Sequence, residues 1–426
     1  MADTTHSPIA FSRDVRADFP ILEADLDGIR PVYLDNAATT HKPLQVLDAM
    51  HHFYCHENSN VGRSVHTLSM RATSRYQKSR ERVQRFINAG DSEEIVFTKG
   101  TTESVNLVAQ GFGPQIVSAG DEVLISGLEH HSNLLPWRHL CEQTGATLKI
   151  AAVDAHGEVS LDAFRAQLTD RTKLVSVAHV SNVQGTLTPV AEIISLCHER
   201  GIVVVVDGAQ AVAHRTVDVT AMDADFYCFS AHKMYGPLGI GVLYGKAEHL
   251  SRMQPLLLGG GMVRNVTYDG PLTVFPTPHL FESGTPNIAG AVGLAAAMDY
   301  IEEIGLDRIA AHDAELAGRA AEGMRALDGV TVYGAQAPQG GIVSFSVDGL
   351  HPYDVGNHLN SFGIATRTGV HCAVPFIDGL GVVGTVRASF GVYNTRDEVD
   401  LLVESLKSVE KGFWSNEHPN DRFLAN

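Results

Sequence analysis

A lysine and an aspartate near the middle of the chain have the types and spacing needed for Schiff-base chemistry. Asp207 directly follows the unbroken apolar run 202–206, which reads as a buried parallel strand whose acidic end meets a loop. Lys233 follows in the segment Phe-Ser-Ala-His-Lys-Met-Tyr-Gly-Pro, residues 229–237. Pyridoxal phosphate (PLP) requires a carboxylate that keeps its pyridine nitrogen protonated and a lysine that forms a Schiff base. A lone lysine in such a loop is ordinarily a surface residue, but this one follows an apolar strand and has Ser, His and Tyr around it, which favours a PLP site.

Threonines at a predicted helix start could hold a phosphate group. The segment Thr98-Lys-Gly-Thr-Thr-Glu103 lies between a predicted strand and an apolar helical pattern. Hydroxyl groups, free backbone N–H groups and the helix dipole at such a position favour an anion. A plain capping motif is the alternative, because hydroxyl caps are common. Taken together with Asp207 and Lys233, the phosphate interpretation becomes the better one.

Two further polar segments follow predicted strands. They are Glu129-His-His131 and His179-Val-Ser-Asn182, which should lie at the carboxyl edge where open α/β sheets bind ligands. His130 could stack on a flat ring or exchange protons. A metal pair is the rival interpretation, but adjacent histidines point in different directions and no third ligand is spaced to join them. His52 and His56 could also chelate a metal, although a solvated helix face is the simpler interpretation.

The elements that must position these residues alternate between strand and helix from about residue 93 to 245, as in a doubly wound sheet. Seven candidate strands lie at residues 94–97, 122–125, 148–151, 173–177, 202–206, 226–229 and 240–244. Helical patterns cover residues 69–87, 190–200, 288–304, 306–327 and 396–413, and later strands are predicted near 331–333 and 341–347. Four strand ends and one turn would then bring Thr, His, Asn, Asp and Lys groups to one edge.

This pattern predicts an α/β fold with two domains. We expect an N-terminal arm over residues 1–30, a large PLP-binding domain over 31–285 and a small C-terminal domain over 286–426. The length of 426 residues leaves room for two cores, and 44% hydrophobic and 7% aromatic residues are ordinary for a soluble enzyme.

Composition also excludes several classes of function. A net charge of −17 without a basic run argues against nucleic-acid binding. The longest apolar stretch, residues 288–298, is too short to span a membrane, and the N-terminus lacks the pattern of a signal peptide. Five scattered cysteines without C-x-x-C spacing argue against a disulfide framework or structural zinc, and fit a reducing cytoplasm.

A cysteine in a short loop narrows the chemistry. Cys372 follows a histidine and lies five residues after Arg367, and nearby positive charge favours a nucleophilic thiolate. An inert buried cysteine is the alternative, but Gly369 and Pro375 bracket a loop and argue against burial. Arg367 and Arg387 are candidates for a bidentate clamp on a substrate carboxylate, or else for structural ion pairs.

The chain resembles the fold-type I PLP enzymes of the class V aminotransferase group and, within it, the SufS/CsdA-type (group II) cysteine desulfurases. The matching segments are Tyr33-Leu-Asp-Asn-Ala-Ala38, Lys99-Gly-Thr-Thr-Glu103, Glu129-His-His131, His179-Val-Ser-Asn182, Asp207-Gly-Ala-Gln210, residues 230–236, Gly284-Thr-Pro-Asn287, residues 367–373 and Arg387-Ala-Ser389. The short cysteine segment, residues 367–375, matches group II. This resemblance implies a large domain with a mostly parallel seven-stranded sheet and a smaller α+β domain that carries the catalytic cysteine loop.

The resemblance also implies roles for individual residues. Lys233 carries the cofactor, Asp207 pairs with the pyridine nitrogen and His130 stacks on the ring. The residues placed near the ring or its phosphate are Asn182, Gln210, Thr101, Thr102, Ser230 and His232. Thr285 reaches the phosphate from the partner subunit, which implies a homodimer.

The activity implied by the resemblance is conversion of L-cysteine to L-alanine. Lys233 moves the Cα proton, His130 serves as a proton donor or acceptor, and Cys372 becomes a persulfide. Arg367 and Arg387 hold the substrate, chiefly Arg387 for its carboxylate, and Asn182 lies beside it. The sulfur would pass to an acceptor protein of SufE, SufU or sulfur-carrier type, for iron–sulfur cluster assembly or another sulfur compound.

Three alternatives stay open at this point. A selenocysteine lyase acting on L-selenocysteine is a close variant. Another class V PLP enzyme, an aminotransferase or C–S lyase, would make Cys372 incidental, and a catalytically silent partner protein is the third. The chain also departs from the family pattern: Gly62 stands where the family commonly has His, and Gly261 stands where a polar residue tends to precede Met262.

Overall fold

The computed structural model describes residues 11, 14–25, 28–62, 64–154, 157–334 and 340–409. Its strands are β1 Val32–Tyr33, β2 Ile95–Thr98, β3 Glu122–Ser126, β4 Thr147–Ala151, β5 Thr172–Ala178, β6 Val203–Asp207, β7 Phe226–Ser230, β8 Gly241–Gly245, β9 Val263–Asn265, β10 Thr273–Val274, β11 Val330–Tyr333, β12 Ile342–Val347, β13 Ile364–Ala365, β14 Arg367–Gly369 and β15 Thr385–Ser389. Its α-helices are α1 Leu44–His52, α2 Thr67–Phe86, α3 Thr101–Gly111, α4 Gly113–Ile116, α5 Leu135–Thr144, α6 Leu161–Gln167, α7 Val190–His198, α8 Ala247–Leu250, α9 Ile288–Ile304, α10 Leu306–Arg325, α11 Pro352–Asn360, α12 Val374–Gly379 and α13 Arg396–Lys407.

The central sheet has seven strands within the described residues, in the order β2-β8-β7-β6-β5-β3-β4. Among these strands β8 runs in the direction opposite to the other six. Each predicted strand overlaps one of them, so the predicted fold-type I sheet is confirmed. Both faces are covered: in β6, Val204 and Val206 join one hydrophobic core and Val205 joins the other. Such double burial explains why this strand is an unbroken apolar run.

Strand direction brings the polar segments to one edge. The parallel strands β3, β5, β6 and β7 all end there, with Ala178 paired to Asp207 and Asp207 paired to Cys228 across neighbouring strands. Strand β2 runs antiparallel to β8, which itself runs antiparallel to β7, so β2 also ends at this edge. The threonine segment after β2 therefore meets Asp207 and the lysine turn after β7.

Four predicted helices have different ends from those the pattern suggested. Helix α10 ends at Arg325 instead of residue 327, and α13 ends at Lys407, before the predicted end at residue 413. Helix α2 begins at Thr67 because the His66 imidazole accepts a hydrogen bond from Ser69 N at 3.2 Å and caps the first turn. Helix α7 ends at His198 because the chain turns into Gly201, whose φ of 66° is left-handed.

A second, four-stranded antiparallel sheet has the order β11-β12-β15-β14 and packs with α10 and α13 around a separate core. Strands β14 and β15 place Arg367 directly opposite Arg387. The last predicted residues of the final helix, 410–413, lie outside the described residues, as do residues 1–10 of the predicted arm. The described part of that arm contacts both regions: Arg16 Nη1 donates to Glu398 Oε1 on α13 at 2.7 Å, while Phe19 and Leu22 belong to the core of the large sheet. The domain boundary near residue 285 stays a prediction. No helix among the described residues is long and apolar enough to cross a membrane.

Candidate active site

A cavity of about 480 Å³ opens at the carboxyl edge of the central sheet, between this sheet and the β14–α12 loop. The predicted site residues that line it are Thr101, Thr102, His130, Asn182, Asp207, Gln210, Ser230, His232, Lys233, Arg367, Cys372 and Arg387. Tertiary packing thus gathers five strand ends from the large sheet and a loop from the small one around a single space.

One end of the cavity is built for an anion. Helix α3 begins at Thr101, whose N–H donates to Ser230 Oγ at 2.8 Å, and the two hydroxyl groups also lie 2.8 Å apart. The Thr102 hydroxyl lies 2.7 Å from that of Ser132. The buried Nδ1 of His232 has no hydrogen-bond partner among the described residues. Burial lowers the pKa of His232 to about 4, so its ring is neutral at physiological pH. A helix start, hydroxyl groups and an unsatisfied imidazole nitrogen together fit a phosphate.

The cavity also offers a carboxylate and a flat ring. Asp207 Oδ1 accepts from Ala209 N at 2.9 Å. Burial raises the pKa of the Asp207 carboxyl, and its neighbour Lys233 opposes that rise. His130 Nδ1 accepts from Ser132 N at 3.0 Å, which assigns the ring proton to Nε2. Burial and then Lys233 lower the pKa of His130 to about 3, so the ring is a neutral hydrogen-bond donor.

Lys233 lies on a tight turn that is held from a distant segment. The carbonyl oxygen of His232, directly before it, accepts from Thr39 Oγ1 at 3.0 Å, Thr40 N at 3.0 Å and Lys42 Nζ at 3.1 Å. Burial lowers the pKa of Lys233 to about 8, while Asp207 opposes the shift. A substantial fraction of this amine is therefore neutral near that pH, as nucleophilic attack on an aldehyde requires.

Both candidate arginines contact Asp35, a residue for which the sequence patterns predict no function. Arg367 donates to it from Nε at 3.1 Å and from Nη2 at 2.9 Å, and Arg387 Nη2 donates at 3.3 Å. Arg387 Nη1 also donates to Asn182 O at 2.8 Å, yet its buried Nε has no partner among the described residues. Burial lowers the pKa of Arg387 to about 10. Both arginines therefore form ion pairs with Asp35, and the clamp on a substrate carboxylate stays a prediction, for which the unpartnered Nε is an available donor.

Cys372 is exposed on the loop between β14 and α12, as the bracketing Gly and Pro predicted. Asn182 Nδ2 donates to His371 O at 2.8 Å, so the loop is tied to the segment after β5. The His371 ring is buried and its Nε2 lies 2.8 Å from Thr385 Oγ1. The thiol therefore belongs to the same cavity as Lys233.

Thr285 is the one predicted site residue that the structure does not bring to this cavity. It is exposed at a second cavity of about 580 Å³, which is also lined by Gly62 and Gly261. His52 and His56 are exposed with ring centroids 4.8 Å apart, and the described residues contain no group of three potential metal ligands.

Sequence reasoning missed several residues that line the main cavity or contact its lining. Asp35, which pairs with the two lining arginines, lay inside the matching segment Tyr33-Leu-Asp-Asn-Ala-Ala38, so a signal existed but no partner could be named for it. Ser132 and Tyr353 line the cavity itself. No local pattern marks Tyr353, because it lies on α11, far along the chain.

The residues present fit PLP. The unsatisfied His232 Nδ1 could donate a hydrogen bond to a phosphate, and Gly100, with a φ of 154°, leaves room beside the Ser230 hydroxyl. A Cβ at that position would lie 3.1 Å from Ser230 Oγ. A buried carboxylate and a lysine with a lowered pKa complete what the cofactor requires.

Comparisons with known proteins agree on one family. The aminotransferase class-V family model matches residues 32–402. A cysteine desulfurase of an Enterobacter species is 47% identical over 93% of this chain and 97% of its own length. A cysteine desulfurase of Synechococcus elongatus is 46% identical over 93% of this chain, which spans only 63% of that longer protein. Among solved structures, the apo form of cysteine desulfurase from Thermococcus onnurineus superimposes with a TM-score of 0.89 at 42% identity, covering 93% of this chain and 98% of the other.

Proposed function

Since this chain belongs to the class V aminotransferase family and, within it, to the PLP-dependent cysteine desulfurases, we propose that it converts L-cysteine to L-alanine while Cys372 takes up the sulfur. The observation that carries this proposal is the meeting of Lys233, Asp207 and Cys372 in one cavity. A lysine and a carboxylate alone would suit many PLP reactions. An exposed thiol in the same space supplies the nucleophile that sulfur transfer needs.

Pyridoxal phosphate, when bound, supplies an electron sink for the charge that develops at the substrate Cα. Its phosphate would lie against Thr101, Thr102, Ser230 and His232. Asp207 would face the pyridine nitrogen, and the His130 ring would cover the ring face. Asn182 and Gln210 also line the cavity.

Lys233 serves as the base that takes the Cα proton. Its pKa of about 8 places it near the pH at which a general base works best. The neutral His130 can donate from Nε2, since its Nδ1 is already an acceptor for Ser132 N. Arg387 offers its free Nε to the substrate carboxylate, and Arg367 lies beside it at the rim.

Cys372 carries out the sulfur step. Its thiolate attacks the sulfur of the bound cysteine, so that a new S–S bond forms while the substrate Cβ–S bond breaks. The electron pair of the broken bond stays with the carbon skeleton, which takes up protons and leaves as alanine. The substrate carbon is reduced as the sulfur is oxidised, and no external oxidant is needed.

The exposed position of Cys372 favours transfer to a second protein. A thiol on an acceptor of SufE, SufU or sulfur-carrier type can reach the outer sulfur without opening the core. We propose that this sulfur enters iron–sulfur cluster assembly or another sulfur compound, and that the protein works in the cytoplasm, where its unpaired cysteines stay reduced.

We also propose a homodimer in which Thr285 serves the partner's phosphate site. Its distance from the main cavity supports this arrangement, as do exposed apolar side chains that include Leu257, Leu258, Val266, Tyr268 and Leu272. Exposed apolar residues in one stretch of chain are typical of an association surface.

The direct test compares wild type with Cys372→Ser and Cys55→Ser. With L-cysteine, the wild type and Cys55→Ser should release alanine and carry a persulfide on Cys372. Cys55 serves as the control because it is exposed and does not line the cavity of Lys233. The Cys372→Ser variant should keep the cofactor absorbance and lose both products. Alanine release at the wild-type rate from Cys372→Ser would refute the persulfide mechanism.

A further inference from the structure

His131 contacts the Cys372 loop from the central sheet, although the mechanism above assigns it no task. Its backbone N–H donates to Cys372 O at 2.7 Å. Its imidazole Nε2 accepts a hydrogen bond from Val374 N at 3.1 Å. One contact is therefore made to the carbonyl oxygen of Cys372 itself, and the other to the backbone N–H of Val374, two residues further along the chain.

The loop that His131 contacts has an unfavourable backbone conformation. His371 and Cys372 have φ values of 51° and 55°, so two consecutive residues with side chains are left-handed. Such a conformation persists only where the surrounding structure holds it, and it is found at functional sites. Among the described contacts to this backbone from outside the loop, one comes from Asn182 and two from His131.

The segment that carries His131 is itself firmly held. Glu129 is buried and accepts hydrogen bonds from Asn133 Nδ2 at 2.6 Å and Ala178 N at 3.0 Å. His131 then begins the short turn His131–Asn133. The segment that carries the imidazole is consequently held by the large sheet, and the cysteine loop packs against it through these two contacts.

We propose that His131 is a positioning residue for sulfur transfer: its unprotonated Nε2 holds the Cys372 loop in the left-handed turn that presents the thiol to the cavity of Lys233. This inference rests on the proposed function, because it matters only if Cys372 is the nucleophile. Burial lowers the pKa of His131, which is consistent with a ring that accepts at Nε2.

Two substitutions separate the acceptor from the volume of the side chain. In His131→Gln, the amide Oε1 has a reach similar to that of Nε2 and can accept from Val374 N. In His131→Leu, a side chain of comparable bulk has no acceptor. The backbone hydrogen bond to Cys372 O is available in both variants, so the comparison isolates the imidazole contact.

The measurements are made on the PLP-loaded enzyme. Amide hydrogen exchange in the peptide covering residues 370–376 reports the loop directly, and a single turnover with L-cysteine reports persulfide formation on Cys372. We expect His131→Leu to exchange roughly 3- to 10-fold faster and to form persulfide slower by a similar factor, which is the range for one lost hydrogen bond. Cofactor absorbance and the KM for cysteine should stay unchanged, and His131→Gln should resemble the wild type.

His139→Leu is the matched control, because His139 is exposed on α5 and has no described contact with the loop. Should His131→Leu fail to fold, His131→Ala must show the same two changes. Wild-type exchange in the Leu variant, or a Gln variant as impaired as Leu, would overturn the proposal. If Cys372→Ser still releases alanine at the wild-type rate, the proposed function fails as well; if that variant is inactive while His131→Leu is normal, only the role of His131 is wrong.

Discussion

At the scale of the residue, the substrate end of the cavity depends on an unequal balance of charge. Asp35 accepts hydrogen bonds from both Arg367 and Arg387, so one carboxylate faces two guanidinium groups. One positive charge is left, and in the proposed function it binds the substrate carboxylate. Arg387 is the buried member of the pair and Arg367 is about half exposed, with side-chain exposures of 3% and 47%. The contribution of a charged hydrogen bond is larger at the buried position, where water competes less.

Arg387→Lys should raise the KM for L-cysteine roughly 10- to 100-fold, because a lysine keeps the charge but loses Nε and the planar fork. Arg367→Lys is the matched control and should have a smaller effect, since that side chain is half exposed. Steady-state kinetics with L-cysteine measures the KM of both variants. Equal KM changes in the two variants would contradict the assignment of the carboxylate to Arg387.

The lowered pKa of Lys233 predicts how the stability of the cofactor-free protein depends on pH. Its pKa is lowered from 10.5 to about 8 in the folded state, so between these values the unfolded chain binds more protons than the folded one. The contribution of Lys233 to stability therefore rises with pH from about 8 to 10.5 and is constant below that range. Lys233→Met should be more stable than wild type at pH 7, and its advantage should shrink as the pH rises. Denaturant unfolding at several pH values tests this, and a difference that does not change with pH would contradict it.

At the scale of the element, each functional group is placed by the end of a strand or the start of a helix. Strand β6 brings Asp207 to the edge, β7 leads into the turn of Lys233, and the first N–H of α3, that of Thr101, donates to the hydroxyl of Ser230. Each element is stabilised by burial of its own apolar residues. The packing of these residues therefore also determines where the polar residue at the end of the element lies. The α3 start is sensitive, because Gly100 approaches Ser230 closely.

Gly100→Ala should lower both the stability of the protein and its affinity for PLP. The new Cβ would lie 3.1 Å from Ser230 Oγ and would displace a hydroxyl of the phosphate site. We expect a loss of about 1–3 kcal/mol in the free energy of unfolding. PLP titration followed by absorbance measures the affinity.

Gly201→Ala is the control for backbone strain alone. Gly201 also has a positive φ, of 66°, but a Cβ there meets open space. This variant should lose stability and keep the wild-type affinity for PLP. Equal PLP affinities in Gly100→Ala and Gly201→Ala would show that the contact with Ser230 is unimportant.

At the scale of the whole molecule, the residues assigned to the site occupy two separate cavities. Thr285 lies at the second cavity, together with Gly62 and Gly261, the positions at which the chain departs from the family pattern. A Cβ at Gly62 would meet nothing within 4 Å, so the absent side chain leaves open space there. In the proposed homodimer these three residues contribute to the active site of the partner subunit and not to the active site of the subunit that carries them.

Mixing two defective proteins tests this arrangement. Thr285→Ala and Lys233→Ala should each have reduced activity alone, and Lys233→Ala should be inactive. After subunits exchange, a mixed dimer contains one site with an intact Lys233 and an intact Thr285 from its neighbour, so up to about a quarter of the wild-type activity should return. Activity that stays at the average of the two separate proteins would mean that Thr285 does not act across subunits.

The sequence by itself determined the cofactor site and most of its sheet. An unbroken valine run, a threonine segment and a lysine turn each carry a local signal, and parallel strands bring their ends to one edge. Asp207 and Lys233 were therefore predictable from patterns a few residues long. The family resemblance added Ser230, and it chose among the alternatives that local surroundings left open for Cys372 and the arginines.

Only the tertiary structure decided how the two sheets meet. The pairing of Asp35 with two arginines, the bond from Asn182 to His371 and the contacts of His131 with Cys372 join segments more than a hundred residues apart in the chain. Packing also places Thr285 at a second cavity, away from the one that holds Lys233. Such contacts result from the docking of one core on another, and no local periodicity carries that information.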